Sequence, residues 1–328
     1  MRADRRLLLC RGATAAAAVA APWLVGCAPE PPLTVAYHPW PGYAALRLAD
    51  SLGWWEGEPL RSLPTGSASA SLQAMRDGKA QAAGLTLDEV LTANANGLPL
   101  RIIGLFDLSH GADVVLARPG FDTPLRWPGA RVGHENGAVG ELMLVSWLEH
   151  SGLPLDAVQQ VHVPFDQHER VWRAGGVDLL VTFEPTASRL IAQGARRVFD
   201  SRELPAQRPI ADVLAVHARA MREQRSALRT LLRHVLAGRH HLLSLPDDAA
   251  YRLATWLDLP PAHTLHAFSG LRLANWADNR HWLLGGPPPL LRAARTVAQF
   301  MHQQGLAPHP DVPDDLVSAL ALPVEEPE

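Results

Sequence analysis

Two periodicities alternate along the chain. Short apolar runs rich in Leu, Val, Ile and Ala precede longer stretches whose apolar positions recur three or four residues apart, a succession that predicts strands alternating with amphipathic helices. Residues 33–37 (LTVAY), 59–63, 81–85, 100–105 (LRIIGL) and 112–117 (ADVVLA) form a first series of strands, with helices over 44–52 and 69–77. A third helix, reaching about residue 95, opens on Thr86-Leu87-Asp88-Glu89, a capping box in which Thr86 and Glu89 satisfy each other's backbone N–H groups. Arg118-Pro119-Gly120 breaks the pattern before a second series begins. There, strands over 131–133, 158–163 and 178–183 alternate with helices over 141–150, 166–173 and 185–193; Gly152 closes the first helix and Pro185 opens the last. A final strand over 210–217 precedes a mostly helical remainder, chiefly 219–243, 247–257 and 290–304. Two βα sets followed by helices imply an α/β protein of two lobes, each a mostly parallel sheet flanked by helices, with a helical C-terminal segment.

The first residues follow neither pattern. "MRADRRLLLCRGATAAAAVAAPWLVGC" places Arg2, Arg5, Arg6 and Arg11 ahead of an apolar run over 13–25, which reads as an export signal. That run is shorter than the roughly 20 residues a membrane-spanning helix needs, and no later stretch is long and uncharged enough. Leu24-Val25-Gly26-Cys27 resembles the bacterial lipobox, in which cleavage precedes a lipidated cysteine; a secretory signal with an incidental cysteine is the plainer alternative. The small residue at 26, the branched residues before it and the "APEPP" tether after it agree with lipidation of Cys27 and a tether over 27–32. Arg5-Arg6 leaves general and twin-arginine export both open.

Removing a leader with four arginines and one aspartate takes the formal net charge from −3 to −6. Such a balance excludes nucleic acid as a partner, since its binding needs clustered basic charge. Cys10 leaves with the leader and Cys27 is the lipid site, so no disulfide is available and the core alone must hold the exported fold. A chain of about 300 residues buries roughly 75% of its unfolded surface, which is enough.

Signatures of catalysis are sparse. The chain has no G-x-S-x-G elbow, phosphate loop or H-E-x-x-H helix, and "GHENGAVG" lacks dinucleotide-binding spacing. Fifteen histidines include His240-His241, His263-x-x-His266 and His134-Glu135, none with a ligand set that would hold a metal. Neither cofactor nor metal is expected. The candidate chemistry lies instead in loops at the carboxyl ends of the strands, where open α/β sheets bind ligands. Those loops offer Tyr37, His38, Trp40 and Tyr43 after the first strand and Thr65, Gly66 and Ser67 after the second. Thr86 follows the third and Asp107 and Ser109 the fourth, while Asn136, Gly137, Ala138, Val139, Gly140 and Glu184 belong to the second series. Glycines and small hydroxyls leading into helices expose N–H groups to polar or anionic ligand groups. Each also has a structural reading: turns and caps for the small residues, core stapling for Trp40 and Tyr43.

"WPGYAALRLADSLGWW", "ARVGHENGAVGELMLVSWLEHSGL", "GGVDLLVTFEPTASRL" and "DVLAVHARAM" together resemble the solute-binding proteins of the nitrate, sulfonate, taurine and thiamine-pyrimidine importer group, over most of 33–220. The resemblance implies a two-lobed periplasmic-binding-protein fold of the second type, with crossover strands near 112–117 and 210–217. Lobe 1 would comprise 33–114 with 213–328, and lobe 2 residues 115–212. It further implies a monomer, lipid-anchored to a bacterial membrane and facing the periplasm or exterior, that closes on a small solute and delivers it to an ABC permease. Under that topology Asp107, Glu184 and Asp212 approach the cleft. Their charge favours a zwitterion such as taurine or a basic aminopyrimidine over a bare anion, although sulfonate and nitrate stay open. A sensory or partner-presenting role is one alternative. A thiamine-pyrimidine-synthase-like enzyme is another, against which stands the missing cysteine-rich segment.

Overall fold

Eleven strands among the described residues fall into two sheets. The first has the order β11-β4-β10-β3-β1-β2, from β1 (Leu33–Tyr37), β2 (Leu60–Pro64), β3 (Ala82–Thr86), β4 (Leu100–Ser109), β10 (Ala211–His217) and β11 (Leu271–Leu273). The second has the order β7-β6-β8-β5-β9, from β5 (Asp113–Ala117), β6 (Arg131–His134), β7 (Gln159–His162), β8 (Leu179–Phe183) and β9 (Arg196–Asp200). This computed structural model describes residues 31–136 and 139–326. The leader, the motif at 24–27 with Cys27, and Gly137 and Ala138 lie outside the described residues.

Both sheets are mostly parallel in strand direction. β1 to β4 run one way and β10 and β11 the other, while in the second sheet only β5 is reversed. β5 and β10 are the first strands after each passage between sheets, so each enters its new sheet against the prevailing direction. The passages are residues 110–112 and 201–210, and β5 and β10 each lie wholly within one sheet. Hydroxyls tie the passages together: Ser109 Oγ lies 2.7 Å from Ser201 Oγ, which also accepts from the Gly111 N–H at 2.7 Å.

Three departures from the sequence pattern bear on the site. β4 continues to Ser109, so Asp107 and Ser109 belong to a paired strand and not to a loop; residues 107–109 pair with β11 as well as β10. β9 (RRVFD) carries too many charges to read as a strand, and β11 is only three residues long. The expected helix over 166–173 begins as a 3-10 turn, Phe165–Gln167, before the α-helix His168–Arg173.

Small residues let large ones approach the first sheet. A Cβ at Gly84 of β3 would stand 2.8 Å from the Tyr43 ring, so glycine lets that ring lie flat on the strand. The C-terminal helices cover the same sheet. Arg225–Ser244 crosses Ala44–Ser51 at Gly238, where a Cβ would come within 2.4 Å of the Ala45 carbonyl oxygen. From the helix Trp276–Leu283, Asn279 pairs with β4, accepting from the Leu105 N–H at 2.7 Å and donating to its carbonyl at 3.0 Å.

Candidate functional site

The segment His38 to Tyr43 turns a corner between β1 and the helix Ala44–Ser51. Trp40 is extended, the 3-10 turn Pro41–Tyr43 follows, and Trp40 and Tyr43 are both buried. A Cβ at Gly42 would fall 2.1 Å from Asp107 Oδ2, so only glycine allows this corner to press onto β4. Tyr43 Oη donates to Asp212 Oδ1 at 2.6 Å, fixing the corner to β10. Asp212 in turn stands directly opposite Asp107 across the antiparallel β4–β10 pair. Opposed residues have Cβ atoms about 5 Å apart, so these carboxyls meet on one face.

A cavity opens above this floor, with about 500 Å³ of empty space including its mouth. The first sheet and its loops contribute His38, Trp40, Tyr43, Gly66, Ser67, Ala68, Thr86, Glu89 and Asp212. Asp113, Glu135, Val139, Phe165 and Phe183 come from the second sheet and its loops, and Ile210 from the segment entering β10. Trp40 meets Phe183 edge to face at 5.0 Å, and Phe183 stacks on Phe165 at 4.1 Å, making an aromatic wall that spans both sheets. Towards solvent the space widens between Gly66–Ser67 and the segment from His162 to Asp166.

Charge in the cavity is one-sided. Glu89, Asp113, Glu135 and Asp212 line it, and among the described residues no arginine or lysine does. Burial raises Asp113, Glu135 and Asp212 to about 7 each, with Asp113 adding to the effect on Asp212 and Asp166 to that on Glu135. Asp107 is pushed well above the usual carboxylate range by burial and then by Asp212, because close carboxyls in a dry site cannot both ionise. Glu89 is raised likewise by burial and Asp88, while its Oε2 accepts from the Thr86 N–H at 2.9 Å. Burial lowers His38 to about 4, leaving its imidazole neutral. Among the described residues no group of three His, Cys, Asp or Glu side chains is placed to hold a metal ion.

Of the residues singled out in the sequence, His38, Trp40, Tyr43, Gly66, Ser67, Thr86, Val139 and Asp212 therefore converge on one cavity. The other described ones lie elsewhere. Tyr37 is buried away from it, donating to Asp50 at 3.2 Å and packing against Trp256. Thr65 bonds Ser71, and Asn136 borders the outer mouth. Asp107 sits beneath the corner, and Ser109 belongs to the tie between the passages. Gly140 packs on the Glu135 backbone, where a Cβ would come within 2.9 Å. Glu184 accepts from the Ser188 N–H and hydroxyl, capping Thr186–Ala192. Glu89, Asp113, Glu135, Phe165 and Phe183 line the cavity without having been singled out for it. Strand alternation offered one clue: Phe183 and Glu184 are neighbours, and placing one in the cleft turns the other away.

The model of a protein family, the NMT1-like family, matches residues 26–258. The chain belongs to the NMT1-like family. Solved structures similar to this NMT1-like chain include the alkanesulfonate-binding protein SsuA from Xanthomonas axonopodis pv. citri bound to MOPS. It is 18% identical, with 88% of this chain and 96% of that one covered and a TM-score of 0.71. The periplasmic aliphatic sulphonate binding protein SsuA from Escherichia coli is 15% identical, with coverages of 90% and 93% and a TM-score of 0.72. For the periplasmic nitrate-binding protein NrtA from Synechocystis PCC 6803 the identity is 12%, the coverages 85% and 83% and the TM-score 0.68. Among curated proteins no sequence match is found. The fold is thus the two-lobed one of periplasmic binding proteins.

Proposed function

We propose that the chain is the extracytoplasmic solute-binding component of an ABC importer, exported and held at a bacterial membrane by a lipid on Cys27. It captures a small polar solute between its two sheets and presents it, as a monomer, to a permease in the membrane. The observation that carries this reading is a cavity lined by aromatic rings and a few buried polar groups from both sheets, which are joined by two short passages. Rotation about those passages opens and closes such a site, and a bound solute shifts the balance by touching both halves. Trp40 from one half and Phe183 from the other already meet across it. The fold relatives named for binding sulfonates and nitrate support the same role. Capture and release form no covalent bond, so the cavity carboxyls serve recognition and the protein is not an enzyme.

The test pairs binding with uptake. A strain lacking the chain should lose uptake of the solute that the purified protein binds. Undiminished uptake would overturn the importer role. Replacement of the lipid-bearing residue, Cys27→Ser, should move the protein from the membrane to the soluble fraction on fractionation.

A further inference from the structure

The fold relatives above are named for sulfonates and nitrate, yet an anion entering this cavity would meet carboxyls on both sides. Asp212 rises from the first sheet and Asp113 from the second, each almost wholly buried and each lining the same space. No lining side chain carries a fixed positive charge. Asp113 Oδ2 makes no hydrogen bond in the protein, and Asp212 Oδ2 makes no well-formed one, having only the Trp40 indole and the Asp107 carboxyl beside it. A buried carboxylate oxygen left unpaired is costly, and a donor supplied from outside relieves that cost. The aromatic wall of Trp40, Phe183 and Phe165 stands beside them. Aromatic faces next to carboxylates attract organic cations and offer nothing specific to a sulfonate.

We propose that the cavity selects an organic cation, whose charged nitrogen lies between Asp212 and Asp113 with its carbon skeleton against the aromatic wall. The proposal rests on the solute-binding reading and names the charge of that solute. The unpaired carboxyl acceptors come from both lobes, whereas the unpaired donors, the Trp40 indole N–H and the Thr86 hydroxyl, come from the first sheet alone. The cation therefore bridges the lobes in the closed state. The helix N-terminus at Ser67 lies on the rim, where an acidic tail on the same molecule would be tolerated.

Two probe series, matched in shape and differing in charge, test the assignment by calorimetry on the full chain. One is benzamidinium, benzamide and benzenesulfonate; the other is choline, 3,3-dimethylbutan-1-ol and ethanesulfonate. At least one cation should bind at least tenfold more tightly than its neutral analogue, and the sulfonates should give no saturable heat. Asp212→Asn and Asp113→Asn should each weaken the bound cation at least tenfold while changing its neutral analogue less than about threefold. Unliganded melting temperatures identify any variant that fails to fold, and the other variant then decides. Silence of both cations, or equal binding of cation and neutral analogue, overturns the proposal. If a sulfonate or neutral probe binds while the cations do not, solute binding survives and its charge assignment falls. If nothing in either series binds, the charge assignment falls, and the solute-binding reading stands or falls by the uptake test alone.

Discussion

The two halves of the cavity are built differently. On the first sheet three polar lining groups are tied to a strand or a helix cap: Asp212 opposite Asp107, Tyr43 bonded to Asp212 and seated over Gly84, Glu89 bonded to the start of its own helix. On the second sheet Glu135 follows β6, Phe165 opens a 3-10 turn, and the nearby helix His168–Arg173 is held at its start by buried His168 on Thr182 and Val163 and farther along only by the surface pairs of Glu169 with Arg173 and Arg189. Buried, mutually bonded groups resist displacement, whereas half-exposed turns and surface ion pairs open at little cost. The first half is thus a preformed floor, and the second an adjustable cover.

Substitutions on the floor should be felt as stability, and those on the cover as affinity. Gly84→Val drives a branched side chain into the Tyr43 ring and should cost about 3 kcal/mol, read as a lower denaturant midpoint with an unchanged slope. An equally stable variant would show that the floor adapts. Phe165→Ala removes half of a stacked pair from a half-exposed turn; it should cost about tenfold in solute affinity and less than about 1 kcal/mol in stability. A large loss of unliganded stability would make the cover as rigid as the floor.

Acidity is shared by the two halves. Asp113 and Asp212 have folded pKa values of about 7, above their unfolded value, so the folded state holds more protons than the unfolded one between pH 4 and 7. Stability then falls as pH rises through that range. Buried His38 and His168, lowered to about 4, work in the opposite sense below pH 6.5 but stay neutral in both states above it. The unliganded protein should therefore lose on the order of 1 kcal/mol between pH 6.5 and 8. The charged or titratable groups facing this pair are Asp107, Asp88, Glu89, Glu135, Glu184, Tyr43 and His38, and none of those acting on the two carboxyls is a cation. A flat melting profile over that window would mean that these carboxyls are ionised throughout. The smallest effect belongs to the cover's surface: Glu169→Gln should cost less than about 1 kcal/mol, measured by thermal melting, since partly exposed pairs contribute little.

Much of the floor could be read from residue order. LTVAY is a short apolar run and packs as a strand, Thr86 and Glu89 form the capping box, and a corner of two prolines, a glycine and two aromatics sits where a βα connection meets a cleft. The cover was harder to read. Phe165 follows a proline in a stretch with weak helical period, and Asp113 looks like the polar start of an apolar run until β5 is seen to enter a new sheet. The Asp107–Asp212 pair depends on register between strands over a hundred residues apart, and local pattern carries no register. Nor could Glu89 be recognised as lining the cavity, because its capping role already accounted for it.

The contact between Ser109 and Ser201 has a mechanical consequence. A door hung on two separate pins can twist as well as swing, because each pin yields independently. Here the two pins are joined through a shared hydroxyl contact and the Gly111 N–H. Under the proposed closure, bending one passage would drag the other, and the halves would turn about a single axle. On that proposal, a solute arriving from any direction would meet the same pair of jaws closing along the same arc.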